Sequence, residues 1–194
     1  MVTTENNKPS LDELANIIQQ NPEDTKARKQ YAFALLDNGF HEDALKQFKY
    51  LIKIFSTDAS LYFNTGIIYE KLKMPEAAEQ SYLKALELEP NDPDFLYNLA
   101  FLYDQMNQTD KAIDYYLKTL KVDPEDSNTY FNLACQYTKK GDTEKAIKNF
   151  EKAISLNPDD AYAHFYLAFE YKKTGKIEKA IEEYKNVIRI NPEY

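Results

Sequence analysis

Residues 93–126 read PDFLYNLAFLYDQMNQTDKAIDYYLKTLKVDPED, and the spacing of their apolar side chains decides the fold. Phe95, Leu96, Leu99, Ala100, Leu102 and Tyr103 share one broad face at helical spacing, up to a break at Asn107-Gln108-Thr109. Ala112, Ile113, Tyr116 and Leu120 form a second stripe of the same period. Asp123-Pro124 ends it, because proline disfavours a helical residue before it and has no N–H to continue the ladder. The stretch predicts two helices joined by a tight turn. Small Ala100 and Ala112 let the pair approach closely, while Tyr103 and Tyr116 fill the space toward a neighbouring unit.

The same pattern recurs along the chain. Ala44, Ala78, Ala112, Ala146 and Ala180 are spaced by 34 residues, as are Pro90, Pro124, Pro158 and Pro192. Each of these alanines is followed four residues on by Phe48, Tyr82, Tyr116, Phe150 or Tyr184, and preceded twelve residues back by Ala32, Gly66, Ala100, Ala134 or Ala168. A fixed period of this length marks a helical repeat array. The pattern resembles the tetratricopeptide repeat, in copies 25–58, 59–92, 93–126, 127–160 and 161–194. The resemblance implies an all-α, right-handed α-solenoid of five helical hairpins, forming one continuous domain.

Gly39, Gly141 and Gly175 stand between the two helices of their copies, where a left-handed residue is cheap for glycine. The second copy has Lys73-Met74-Pro75 instead, with Pro75 suited to the first turn of the following helix. The first copy departs further, with Arg28 and Tyr31 in place of larger apolar residues and Ser56 in place of the closing proline. Ahead of the array, Ser10-Leu11-Asp12-Glu13 is a capping-box pattern that opens a helix within 10–22, closed by Asn21-Pro22. Its Leu11, Leu14, Ile17 and Ile18 are placed to cover the first hairpin, as a solenoid end requires. Residues 1–9 read as a disordered tail.

The formal net charge of −8 disfavours a nucleic-acid ligand, whose binding rests on Lys and Arg against phosphates. The acidity is concentrated in 59–126, where 13 Asp and Glu face 6 Lys and Arg. Cys135 is the single cysteine, so no intramolecular disulfide forms. No stretch is long and apolar enough to span a bilayer, and the start lacks a basic region followed by an apolar one. The expected setting is cytoplasmic, without membrane insertion.

In tetratricopeptide arrays the first helices of successive copies line a concave groove, and the resemblance places particular residues there. The fifth positions of copies two to five are Phe63, Tyr97, Phe131 and Phe165, and the ninth positions include Phe101, Cys135 and Phe169. Between them Asn64, Asn98 and Asn132 occupy the same sixth position in three adjacent copies. An amide carries both a donor and an acceptor, so such a row can pair with a peptide backbone whatever its side chains. The row is similar to the asparagine ladder of the glycosyltransferases that attach N-acetylglucosamine to proteins. The alternative is a structural role, in which each asparagine ties neighbouring helices.

The clamp by which a subfamily of these repeats grips the terminal carboxylate of chaperones is not matched. Lys29 is followed by Phe33 where that clamp has asparagine, and later copies carry Asp94/Asn98, Asn128/Asn132 and Tyr162/Tyr166, never paired bases. His41 in a turn and His164 at a packing position are too scattered for a metal cluster or a nucleophile–base pair. No cofactor and no catalytic residue is expected. The reading is a non-enzymatic adaptor that binds an extended peptide or a helix of another protein. Two rivals remain. One is a homo-oligomeric scaffold assembled through the last hairpin, whose Ala180, Tyr184, Val187 and Ile188 face no further repeat. The other is the recognition part of a larger enzyme, such as a glycosyltransferase or methyltransferase.

Overall fold

The computed structural model describes residues 9–193; the tail expected at 1–9 lies, apart from Pro9, outside them. All eleven elements among the described residues are α-helices: α1 (Leu11–Gln20), α2 (Thr25–Asp37), α3 (His41–Ile54), α4 (Ala59–Lys71), α5 (Pro75–Leu88), α6 (Pro93–Gln105), α7 (Thr109–Val122), α8 (Ser127–Lys140), α9 (Thr143–Leu156), α10 (Ala161–Lys173) and α11 (Ile177–Ile190). They form five hairpins preceded by α1, an α-solenoid arrangement. The chain divides into two compact units, Met1–Pro90 and Asn91–Tyr194.

In the first unit α1 packs on α2, and α3 links the α2/α3 hairpin to α4 of the next. Ser10 caps α1 through the full reciprocal box: its hydroxyl accepts from the Glu13 N–H, while the Glu13 carboxylate accepts from the Ser10 N–H at 2.8 Å. The core gathers Ala32, Leu35, Ala44, Phe48, Leu51, Leu61 and Ile68, and Leu11 of α1 rests on it. In the second unit α6 to α11 pack in sequence, each on the next. Its core holds Ala134, Ala146, Ile147, Phe150, Leu167, Tyr171 and Ala180.

Asp24, Asp58, Asp92, Asp126 and Asp160 stand just before the first helix of each hairpin, and every one accepts backbone N–H bonds there. This 34-residue aspartate period satisfies donors that a helix start leaves orphaned. The second helices are treated differently. Of them only α9 has a side-chain cap, from Asp142. His41, expected in the preceding turn, is in fact the first residue of α3.

The turn inside each hairpin uses one left-handed residue at one repeat position: Gly39, Lys73, Asn107, Gly141 and Gly175, with φ of 79°, 58°, 56°, 76° and 73°. The second and third copies thus keep the turn geometry without glycine, and Lys73 bears more of the steric cost a Cβ imposes in this region than asparagine does. Lys73→Gly should therefore stabilise the first unit by about 0.5–1 kcal/mol, after the added entropy of an unfolded glycine is subtracted. A thermal midpoint that falls instead would show that Lys73 contributes contacts exceeding its backbone strain.

Candidate functional site

The first helices of the second unit, α6, α8 and α10, carry the expected binding residues on one repeated set of positions. The fifth-position rings are only half in solvent, because each rests on the aromatic of its own second helix. Tyr97 meets Tyr116 with centroids 5.9 Å apart, Phe131 meets Phe150 at 5.7 Å, and Phe165 meets Tyr184 at 5.9 Å. In the first unit Phe63 meets Tyr82 likewise, at 5.6 Å. These rings bracket the hairpin and present one side outward. Tyr116, expected to fill space toward another copy, packs edge-on to Tyr97 within its own hairpin.

The ninth positions are more open. Phe101 is 39% and Phe169 45% exposed. Phe101 stacks parallel on Tyr97, and the Lys173 ammonium lies over Phe169. Two further rings on α10 enlarge this face, Tyr162 at 60% and Tyr166 at 38% exposure. Tyr166 touches Phe131, stacks on Phe150 and abuts Phe165, so it joins α10 to the α8/α9 hairpin while keeping an open side. The sequence did show it, as the one aromatic where three copies have asparagine.

The asparagines make unlike bonds. Asn64 donates to the Ser60 carbonyl at 2.7 Å and Asn98 to the Asp94 carbonyl at 2.8 Å, each back along its own helix. Asn132 instead donates to the Tyr97 hydroxyl at 2.8 Å, tying α8 to α6. The Asn64 rung belongs to the first unit, and the Asn98 and Asn132 rungs to the second.

Burial pushes the Cys135 thiol up to about 12, with the Asp104 carboxylate adding to it. At pH 8 its thiolate fraction is then roughly a thousandfold below that of an ordinary cysteine. Iodoacetamide should accordingly leave Cys135 unmodified in the native chain under conditions that label the urea-unfolded chain. Rapid native alkylation would mean that the thiol is open and activated.

Two buried titratable side chains, His164 and Glu170, are engaged structurally. His164 is buried, with Nδ1 2.5 Å from the Glu183 carboxylate and Nε2 3.1 Å from the Pro158 carbonyl, so it ties α10 to α11 and to the preceding loop. Glu170, fully buried, receives the Lys173 ammonium at 3.0 Å. Among the described residues no group of three or more His, Cys, Asp and Glu stands together as a metal site, and no helix is long and apolar enough to cross a membrane.

The face expected at the last hairpin needs correction. Ala180 and Val187 are 3% exposed, buried against their own hairpin, and Tyr184 lies against Phe165. Of the four residues expected there, Ile188 alone is open, at 59%, and its companions on the outer side of α11 are Ile177 and Ile181. The alanine and valine follow the 34-residue packing pattern inward, which puts the outer isoleucines on a different phase.

Several solved structures share this fold at low sequence identity. YrrB, described as a tetratricopeptide repeat protein with an unusual peptide-binding site, aligns with a TM-score of 0.78 at 22% identity, covering 95% of both chains. MamA from residue 41 to its end, of Desulfovibrio magneticus RS-1, gives 0.82 at 22% identity over 88% of this chain and 96% of its own. PilF of Pseudomonas aeruginosa gives 0.75 at 20% identity over 88% and 78%. No curated protein sequence matches the chain. Tetratricopeptide repeat profiles match residues 59–92, 81–114, 115–148 and 161–194, and a TPR repeat profile matches 136–175. Successive matches thus run from 59 to 194 over the same hairpins that the helices form, and the chain belongs to the tetratricopeptide repeat family.

Proposed function

We propose that the chain is a non-enzymatic interaction scaffold whose first-helix face in the second unit holds an extended segment of another protein. The observation that carries this is the set of rings left in solvent on α6 and α10: Phe101, Tyr162, Tyr166 and Phe169. Large aromatics exposed together on one side are anchors for a partner's apolar side chains, since covering them removes apolar area from water. Asn98 and Asn132 supply the polar complement. Each amide nitrogen donates one bond within the chain, which leaves its second N–H and its carbonyl oxygen to pair with the backbone of the bound segment. The peptide-binding site ascribed to YrrB supports this use of the fold.

The test is to select binders from a random peptide library on the intact chain and to measure them against Phe101→Ala with Phe169→Ala. Affinity should fall about 10- to 100-fold, the loss expected for two partly buried anchors. Peptides that bind the variant equally well would remove the face from consideration. A second reading, self-association, is supported by Ile177, Ile181 and Ile188 on α11. In that case light scattering at high concentration should show a dimer or larger, reduced to a monomer by Ile188→Glu. A monomeric unaltered chain would end it.

A further inference from the structure

α7, α8 and α9 of the second unit enclose an open cleft of about 600 Å³ that the first-helix face does not share. Its floor is apolar: Leu133 is buried, with Leu120, Tyr130 and Tyr137 half-buried around it. Leu117 stands 41% exposed at the rim. The walls are basic, with Lys118 and Lys121 from α7 opposite Lys145 and Lys148 from α9. Asp114 is the one carboxylate among the lining residues, and Lys118 already holds it at 2.6 Å. Lys145 is oriented by Asp142 at 2.7 Å and lies 5.2 Å from the Tyr137 ring centroid. Lys121 and Lys148 are exposed and form no ion pair among the described residues.

This concentration of charge is not a property of the repeat. One period later the positions of Lys118, Lys121, Lys145 and Lys148 hold Lys152, Ser155, Lys179 and Glu182, and two periods earlier they hold Tyr50, Lys53, Ala77 and Gln80. It also runs against its surroundings, since Lys118 and Lys121 belong to the segment 59–126, which has a net charge of −7 from 6 Lys and Arg against 13 Asp and Glu. Two uncompensated ammonium groups over an apolar floor complement two or three carboxylates that flank an apolar side chain. A nucleic acid would instead need a longer basic track, which a chain of net charge −8 does not offer.

We propose that this cleft is a second docking site and takes a short acidic segment of another protein. An apolar side chain of the segment sits over Leu133 and Tyr130, and its carboxylates reach Lys121 and Lys148. The site does not depend on the first-helix face being a peptide site, so the two can fail separately.

The probe is a fluorescein-labelled peptide of aspartate and glutamate with a central pair of leucines, and the readout is fluorescence anisotropy. Its counterpart, with asparagine and glutamine replacing the acids, should bind at least about tenfold more weakly. Lys121→Glu with Lys148→Glu should weaken the acidic peptide about tenfold or more, and Lys121→Gln with Lys148→Gln by less, at unchanged thermal midpoints. Phe101→Ala with Phe169→Ala should leave it unaffected. Absence of saturable binding, equal binding of both peptides, or equal binding by the lysine variants would overturn the proposal. So would a labelled oligouridylate that binds more tightly than the peptide and loses that binding in the same variants.

Discussion

Phe150→Ala is expected to destabilise the second unit by about 3–5 kcal/mol, the range for emptying a large aromatic from a core. Phe150 has no solvent exposure and sits among Ala134, Ala146, Ile147, Leu167 and Tyr171. It is also the ring on which the proposed binding face rests, since Phe131 meets it edge-on at 5.7 Å and Tyr166 stacks on it at 5.9 Å. Collapse of those two rings into the vacated space would recover stability only by withdrawing them from the surface. The variant should therefore lose both unfolding free energy, read from urea denaturation, and affinity for peptides selected on the intact chain. Hydrogen exchange should accelerate first in α8, α9 and α10. A loss below about 1 kcal/mol would contradict the packing of this ring.

The fold class was readable because every level of the repeat repeats. One residue type at one interval, such as the alanines from Ala44 to Ala180, fixes period and phase together, and five copies leave little room for another register. The opening of α1 at Ser10 was equally visible, since a capping box is a local pattern that needs no tertiary partner. The left-handed residue at Lys73 was not evident from residue type, whereas asparagine at 107 is a residue that tolerates this region. Lys73 follows only from the period, which demands there the conformation glycine adopts at 39, 141 and 175. The aspartate caps carried the same signal, at 34-residue intervals from Asp24 to Asp160.

The candidate site was less legible, because repeat position gives the side of a helix but not what each side chain touches. Asn98 and Asn132 occupy equivalent positions, yet one bonds along its own helix and the other crosses to Tyr97. That difference depends on a hydroxyl placed 35 residues away, which Asn98 has no counterpart for in its bond. Ala180 and Val187 likewise looked available only when the last hairpin was considered without its own partner helix. Once α10 and α11 pair, both are enclosed, and the outer phase passes to Ile177, Ile181 and Ile188. The basic cleft needed three helices brought together before Lys121 and Lys148 became neighbours of one apolar floor.

Gly66→Ala is expected to destabilise the first unit by about 2 kcal/mol, although alanine is the better helix former by about 1 kcal/mol. A Cβ at this position would lie 2.5, 2.6 and 3.0 Å from Cε1, Cδ1 and Cζ of Tyr82, well inside contact distance and against the body of a ring. The other four copies hold alanine at the same position, beside Phe48, Tyr116, Phe150 and Tyr184, so the hairpin itself tolerates a methyl group there. What differs is the Tyr82 hydroxyl, which donates to the Glu70 carboxylate in the preceding helix; burial and that carboxylate together hold its ionisation far above the ordinary tyrosine range. The ring is thus tethered over Gly66 and cannot yield without giving up a charge-assisted hydrogen bond. In a Tyr82→Phe background the ring is free to shift, and Gly66→Ala should cost less than about 1 kcal/mol or become stabilising. Equal costs in the two backgrounds would show that the conflict lies with the ring's position alone and not with its tether.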